Sequence, residues 1–512
     1  MKKIIYLFLS LTLLIIVSSC KDQLNTEPTT AVGSETIFKT AENAMTAVNG
    51  IYRGMYVAEW GPSWTHENGG IMAYITASDL MGEDHIQNKS GSGWFYYDYT
   101  YGITSDYTTS SGRQAQCWNF FYTLICNANN IIVNEKNIQN NPNLAKYVIG
   151  QAYAIRAYSY LWLVQSFQQC DPSLPGVPLY TEPTTIDSKG KGRGTVQQVY
   201  DRINEDLKLA IDNLSKTNVV QQHSSHIDQY VAQGIRARAA LVQKDYPTAI
   251  IAAKEAMKKP SKKILSFTET TKVNDVSKAN VMWGLAIQSD QAMSVEGIYT
   301  HIDADANSTY ANKQQHLISS WLYDQMPKTD ARRAWWTAPL PEKDWVDKTS
   351  KKSYVQVKMV FKDKTLKTGD YILMRVEEMA LIVAEAACHI KDYTTAREYV
   401  KKVTMNRDIN YEENLRKYSD GFDYNSETSS TINNLMDYIL FQRRVELWGE
   451  VSRIHDIKRL DLGMNRDYTY TPNNHTKIRS YKPKYKFFIY AIPQKEFDGN
   501  SSLDPVNDQN PL

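Results

Sequence analysis

Cysteine is scarce, five in 512 residues. No two stand in a CxxC spacing and none pairs with a histidine at zinc-ligand spacing, which excludes a zinc ribbon or finger. Net charge is nearly absent: Lys and Arg number 58 against 56 acids, and they balance once Lys2 and Lys3 are set aside. Without a basic field there is nothing to hold a phosphate backbone, so nucleic acid is not expected as a partner. After Val17 no apolar run approaches the ~18 residues a membrane-spanning helix needs. Several catalytic signatures are missing as well. No nucleophile elbow occurs, and the loop Gly190-Lys191-Gly192-Arg193-Gly194 lacks P-loop order. His66-Glu67 lacks the second histidine of a zincin. His223 and His226 are the one close histidine pair, and with nothing nearby to complete a metal set they are expected at the surface. No cofactor is expected.

What is present begins with a leader. Lys2 and Lys3 precede an apolar run from Ile4 to Val17, then Ser18, Ser19 and Cys20. This is the layout of a secretory signal peptide, and the run is too short to cross a bilayer. A cysteine directly after small residues resembles a bacterial lipobox. The chemistry it implies is acylation of the Cys20 sulfur, cleavage before Cys20 and acylation of the new amino terminus. Two or three acyl chains anchor stably where one binds marginally. Residues 1–19 are thus read as signal peptide and 20–35 as a polar tether. Residues 36–512 are read as one domain.

The four remaining cysteines, Cys117, Cys126, Cys170 and Cys388, are too sparse for a staple framework and are read as small buried hydrophobes. Cys117 and Cys126 fall in one predicted helix, ~13.5 Å apart at the helical rise, beyond the ~7 Å reach of a disulfide.

Helical periodicity runs over 36–55, 118–132, 142–168, 196–214, 227–259, 371–405 and 431–460. Thr195 with Gln198 forms a capping-box signature. Between 57 and 115 the period disappears among Gly, Ser, Thr and Tyr, which predicts loops with a little strand. Short strands are expected at Val281-Met282-Trp283, Tyr354-Val355-Gln356-Val357 and Phe487-Phe488-Ile489-Tyr490. One repeat is legible. Lys244-Asp245-Tyr246-Pro247-Thr248-Ala249 recurs as Lys391-Asp392-Tyr393-Thr394-Thr395-Ala396, each between two helices. It matches the inter-helix turn of a tetratricopeptide repeat, although the Trp and Gly of that repeat's first helix are absent. Such pairs stack because none buries its apolar face alone. The fold class is mainly α: TPR-like helix pairs, long loops and a few short strands.

Glu446 and Glu450, four apart on one predicted helix, have the spacing of an acid/base pair. Arg443, Arg444, Arg453, Asp456 and Arg459 surround them, and ion pairing is the cheaper explanation. Asp303, Asp305 and Asn307 resemble half a calcium loop. Ser308 stands where Gly is needed and Gln314 where a bidentate Glu is needed, which excludes an EF-hand and leaves an irregular oxygen site open. Aromatics carry more: Trp60, Trp64, Trp94, Tyr97 and Tyr101 crowd the non-helical stretch with Phe95, Tyr96 and Tyr99. Flat rings stack on sugar faces while polar neighbours bond hydroxyls, and the same rings serve equally as core. Those five are the candidate ligand contacts.

Motifs in a fixed order carry a family resemblance. They are Trp118, Tyr122, Ile125 and Asn127-Ala128-Asn129; Ala154-Ile155-Arg156-Ala157-Tyr158; Gly176-Val177-Pro178-Leu179; Val199-Tyr200, Ile203 and Asp206-Leu207; Arg375-Val376-Glu377-Glu378-Met379; Arg443-Arg444-Val445-Glu446-Leu447-Trp448-Gly449-Glu450 with Arg453 and Asp456-Ile457-Lys458-Arg459-Leu460; and Ile492-Pro493-Gln494-Lys495-Glu496. In this order behind a lipobox they resemble the SusD/RagB family of outer-membrane nutrient-binding lipoproteins. Gln442 departs from the usual Glu and weakens one expected ion pair. The resemblance implies a single SusD-like domain of four TPR-like helix pairs, lipid-anchored in the outer membrane and exposed at the cell surface. It implies a glycan or peptide ligand, no covalent chemistry, and a SusC-like TonB-dependent transporter over which the protein closes as a lid. Two other readings stand beside it: an assembly lipoprotein using TPR-like surfaces, and a glycan-degrading enzyme.

Overall fold

The computed structural model describes residues 37–57, 66–87, 93–102, 108, 112–293, 295–306, 309–339, 353–421, 431–466 and 480–512. The leader with Cys20, and Trp60 and Trp64, lie outside them.

In chain order the main elements are α1 (Ala41–Gly54), α2 (Ile71–Leu80), β1 (His85–Gln87), α3 (Tyr96–Thr100), α4 (Arg113–Val133), α5 (Pro142–Phe167), β2 (Pro175–Pro178) and β3 (Arg193–Thr195). Then come α6 (Val196–Ser215), α7 (Gln229–Val242), α8 (Tyr246–Ala256), β4 (Val281–Leu285), α9 (Ile298–Ile302), β5 (His316–Ile318), α10 (Ser320–Gln325) and β6 (Tyr371–Arg375). The chain ends with α11 (Val376–His389), α12 (Tyr393–Thr404), α13 (Tyr411–Arg416), α14 (Leu435–Glu446), α15 (Arg453–Arg459), β7 (Met464–Asn465), β8 (Ser480–Tyr481) and α16 (Gln494–Gly499). The strands form four separate antiparallel pairs: β1 with β5, β2 with β3, β4 with β6, and β7 with β8.

Helix α5 is the spine. Asn141 caps it by accepting from Leu144 N, and Pro142 fills the first turn, where a missing N–H costs nothing. From Tyr147 to Phe167 only Tyr153 escapes full burial, because α1, α4 and α6 pack around it. Small residues permit that closeness: a Cβ on Gly150 would stand 2.6 Å from Leu214 Cγ on α6. The Thr195 capping box forms as read, with Gln198 N donating to Thr195 Oγ1 and Thr195 N to Gln198 Oε1. The repeat forms too. Lys244 and Lys391 share a left-handed backbone (φ 61° and 65°), and Asp245 and Asp392 each cap the following helix. The pairs α7–α8 and α11–α12 then stack, with the Tyr246 and His389 rings 4.1 Å apart.

Several expectations are corrected. Helix α2 lies where no period was legible, because all ten of its residues are buried and it has no polar face to mark one. Tyr96–Thr100 is a helical turn. Residues 354–357 contribute only the isolated bridges of Val355 and Gln356, 371–375 is strand β6, and 486–488 is a 3-10 turn. The predicted helix over 431–460 breaks: α14 ends at Glu446, and Gly449 turns the chain with φ 76°, so Glu450 lies beyond it. His226 is buried, its Nε2 2.9 Å from Asn49 Oδ1, while His223 is exposed. All four cysteines are free, and Cys117 and Cys388 are buried.

Candidate functional site

The carboxylate pair is an ion-pair hub. Glu446 Oε1 accepts from Arg375 Nη1 (2.9 Å) and Arg407 Nη2 (3.0 Å), and Oε2 from Arg407 Nε (3.0 Å) and Arg332 Nη1 (3.3 Å). Burial opposes its ionisation, yet these guanidinium groups hold its carboxyl well below the usual range. Glu450 is treated the same way by Arg375 and Lys358. Gln442 still serves the hub, accepting from Arg332 Nη2 at 2.5 Å. Both carboxylates are buried and charge-paired, which is the geometry of structural ion pairing.

The aromatic stretch builds a different kind of site, organised by Arg113 at the start of α4. Arg113 is fully buried. Its Nη1 donates to Glu67 O and Asn68 Oδ1 (both 2.9 Å), and its Nε and Nη2 donate to Asp98 (3.2 Å each). The guanidinium also covers the Phe95 ring at 5.0 Å. One cation thereby pins both 67–68 and 95–98. Phe95 N donates to Glu67 Oε2 at 2.6 Å, and burial pushes the Glu67 carboxyl upward against Arg113's pull. Phe95 and Tyr101 flank α3 with φ 59° and 60°, a left-handed backbone unusual for aromatics and a mark of a conformation fixed by its surroundings.

Trp94 is set by this frame. Its carbonyl accepts from Gln87 Nε2 and Gln314 Nε2, while its indole Nε1 is buried and has no partner among the described residues. The half-buried rings of His66 and Tyr310 stand beside it, 5.2 and 6.2 Å from its centroid, and His66 Nδ1 bonds the Tyr310 hydroxyl. Behind Tyr310 stacks His301 (5.1 Å), whose Nε2 donates to His66 O at 2.7 Å. Burial lowers the His301 pKa to about 4, so it is neutral. The result is a cluster of three half-buried rings, with the Trp94 indole nitrogen itself buried.

Of the predicted contacts, Trp94 lies in this cluster and Tyr97 is 57% exposed beside it in sequence, its ring edge-on to Tyr96. Tyr101 is 5% exposed; its hydroxyl donates to Met81 O and its ring packs on Tyr481 and Phe488, so it serves the core. His66, His301 and Tyr310 were not singled out as ligand contacts. No local motif marks them, since the fold brings His66 to His301 and Tyr310 across more than 200 residues of chain. The calcium-like Asp303 instead braces backbone, accepting from Asp305 N and Phe361 N. Among the described residues no cluster of His, Cys, Asp or Glu could hold a metal ion. No helix among them is long and apolar enough to cross a membrane.

Comparison with known proteins agrees with this architecture. Residues 70–241 match the family model described as starch-binding associating with outer membrane, and 303–512 match that of the SusD family. SusD-like protein P2 of Formosa agariphila is 24% identical over 99% of both chains. SusD-like protein P38 of the same organism is 29% identical over 42% of this chain, a stretch that spans only 38% of that relative. Among solved structures, a SusD-like carbohydrate binding protein from Bacteroides vulgatus superposes with TM-score 0.73 at 24% identity, covering 92% of this chain and 98% of that one. A SusD superfamily protein from Bacteroides thetaiotaomicron gives TM-score 0.73 at 22% identity, covering 92% and 100%. The chain belongs to the SusD/RagB family, and its fold is the SusD fold.

Proposed function

We propose that this protein is a cell-surface lipoprotein that binds a glycan nutrient and hands it to a SusC-like TonB-dependent transporter, over which it acts as a lid. The carrying observation is the cluster of Trp94, His66 and Tyr310. It gathers half-buried ring faces with the Tyr310 hydroxyl and the His66 imidazole, the kinds of group sugar recognition uses, while the one obvious carboxylate pair is locked in salt bridges. Family membership and the carbohydrate-binding relative point the same way. An oligopeptide remains the alternative ligand class. Lipidation at Cys20 supplies the outer-membrane anchor, and the tether leaves the body room to swing on its partner. Reversible, saturable binding without turnover is the expected behaviour. A glycan-array screen of the detergent-solubilised protein, followed by chromatography of the incubated hits, tests it. Shortened products would make the protein an enzyme, and an array without hits would remove the glycan.

A further inference from the structure

Three buried side chains on three separate elements form one hydrogen-bonded line. His85 Nδ1, on β1, lies 2.8 Å from Asp79 Oδ2, on α2. His85 Nε2 lies 2.7 Å from His316 Nδ1, on β5. The remaining ring nitrogen of His316 is Nε2. All three residues are 3% exposed or less, and the His85 ring is fixed against Trp448 at 4.2 Å. At its inner end the line meets the turn beyond α14, where Gly449 N and Arg453 N both donate to the Asp79 carboxylate (3.2 Å each). At its outer end His316 lies two residues from Gln314, which holds the Trp94 carbonyl.

We propose that Asp79, His85 and His316 form a proton wire joining the ligand-face strand pair to the helical scaffold. A neutral imidazole carries one N–H, so the direction of the whole line is set at once. With Asp79 ionised, His85 Nδ1–H donates to it and His316 Nδ1–H donates to His85 Nε2, leaving His316 Nε2 bare. A proton arriving at His316 Nε2 sends the His316 Nδ1 proton to His85 Nε2 and the His85 Nδ1 proton to Asp79. One proton enters, two pass between neighbours, and no imidazolium remains. The line then runs in reverse: Asp79 O–H donates to His85 Nδ1, His85 Nε2–H donates to His316 Nδ1, and His316 Nε2 has become a donor. A neutral Asp79 grips the Gly449 and Arg453 amides less strongly, so the scaffold turn registers the change.

The electrostatics permit this traffic. Burial raises Asp79 to about 7, opposed by the Arg453 and Gly449 amides and by the charges of Lys358 and Arg453. Burial lowers His85 to about 3, with Asp84 pulling it upward and Arg466 pushing it down. His316 is lowered well below its usual value by burial, then by His85 and His301. The imidazoles thus conduct without storing charge, and Asp79 is the store.

The test is imidazole NMR of the isotope-labelled, detergent-solubilised full-length protein from about pH 5 to about pH 9. His85 and His316 are expected to exchange their protonated nitrogen from Nδ1 at high pH to Nε2 at low pH, with one shared midpoint matching the Asp79 carboxyl. Neither should show the imidazolium signature. Fixed tautomers across the range, separate midpoints, or a histidine that charges would each overturn the proposal. In Asp79→Asn the shared midpoint should vanish. Its persistence would place the titrating group elsewhere. Should that variant not fold, the wild-type titration decides alone.

Discussion

Arg375 grips Glu450 through two parallel hydrogen bonds, Nε to Oε2 at 2.6 Å and Nη2 to Oε1 at 2.7 Å. The same guanidinium reaches Glu446 through Nη1, so one strand residue ties down the end of α14 and the turn beyond it. Removing one partner of a buried pair strands the other charge and costs about 3–5 kcal/mol. Glu450→Ala is therefore expected to lower the unfolding midpoint by several degrees. At temperatures where the variant stays folded, its affinity for an array-identified glycan should match wild type. A selective loss of ligand with unchanged thermal stability would return Glu450 to the functional site.

The aromatic residues divide by the same logic. Truncating a ring that stacks on a ligand typically costs about 0.5–1.5 kcal/mol beyond its area. Trp94→Ala and Tyr310→Ala are expected to weaken glycan binding about tenfold or more, measured by calorimetry, with modest effects on stability. Tyr101→Ala should do the opposite. It empties a packed core position, an effect of about 3–5 kcal/mol for a large aromatic, and lowers the melting temperature while sparing affinity in the folded protein.

Buried neutral histidines predict an acid limb. His301 is lowered to about 4 and His85 to about 3, both by burial. The unfolded chain binds protons at these groups from about pH 6.5 downward, where the folded chain does not. Stability at these sites is therefore complete above the unfolded value and is lost as pH falls toward the folded one. For His301 the full loss is on the order of 3 kcal/mol. Asp79, raised to about 7, works in the opposite direction over the same range. The His301 limb is therefore read as a difference: wild-type urea midpoints should fall more steeply than those of His301→Gln between about pH 6.5 and about pH 4. His301→Gln should flatten part of that slope, and an unchanged slope would mean that His301 is charged or exposed in solution.

Legibility in the sequence tracked the presence of two-sided elements. α6 has one buried stripe and one wet face, so its period and its capping box could both be read. The turns at Asp245 and Asp392 were legible because their chemistry is local. α2 was invisible because burial on every side erases the period. The break after α14 was equally hidden, since Gly449 alone signals it in a run of good helix formers. At the candidate site, local composition singled out the stretch that holds Trp94, Tyr97 and Tyr101, of which Tyr101 packs against Tyr481 and Phe488. His66, His301 and Tyr310 meet only through tertiary structure, which no spacing rule reports.

The anchor is the last test. Cys20 stands after an apolar run and two small residues, and a lipid attached there carries about 0.8 kcal/mol per buried CH2, so multiple chains hold firmly while none holds at all. On the proposed function, a body that meets a membrane-embedded transporter repeatedly would gain from such a tether, because the link replaces a bimolecular search with a local one. Cys20→Ala removes the attachment point without touching the aromatic cluster. It is expected to leave glycan affinity in vitro unchanged, to shift the protein out of the outer-membrane fraction, and to abolish glycan uptake by cells. Uptake at the wild-type rate from a protein no longer in the membrane fraction would show that the lid needs no anchor. Loss of affinity in vitro would instead tie the leader to the folded body.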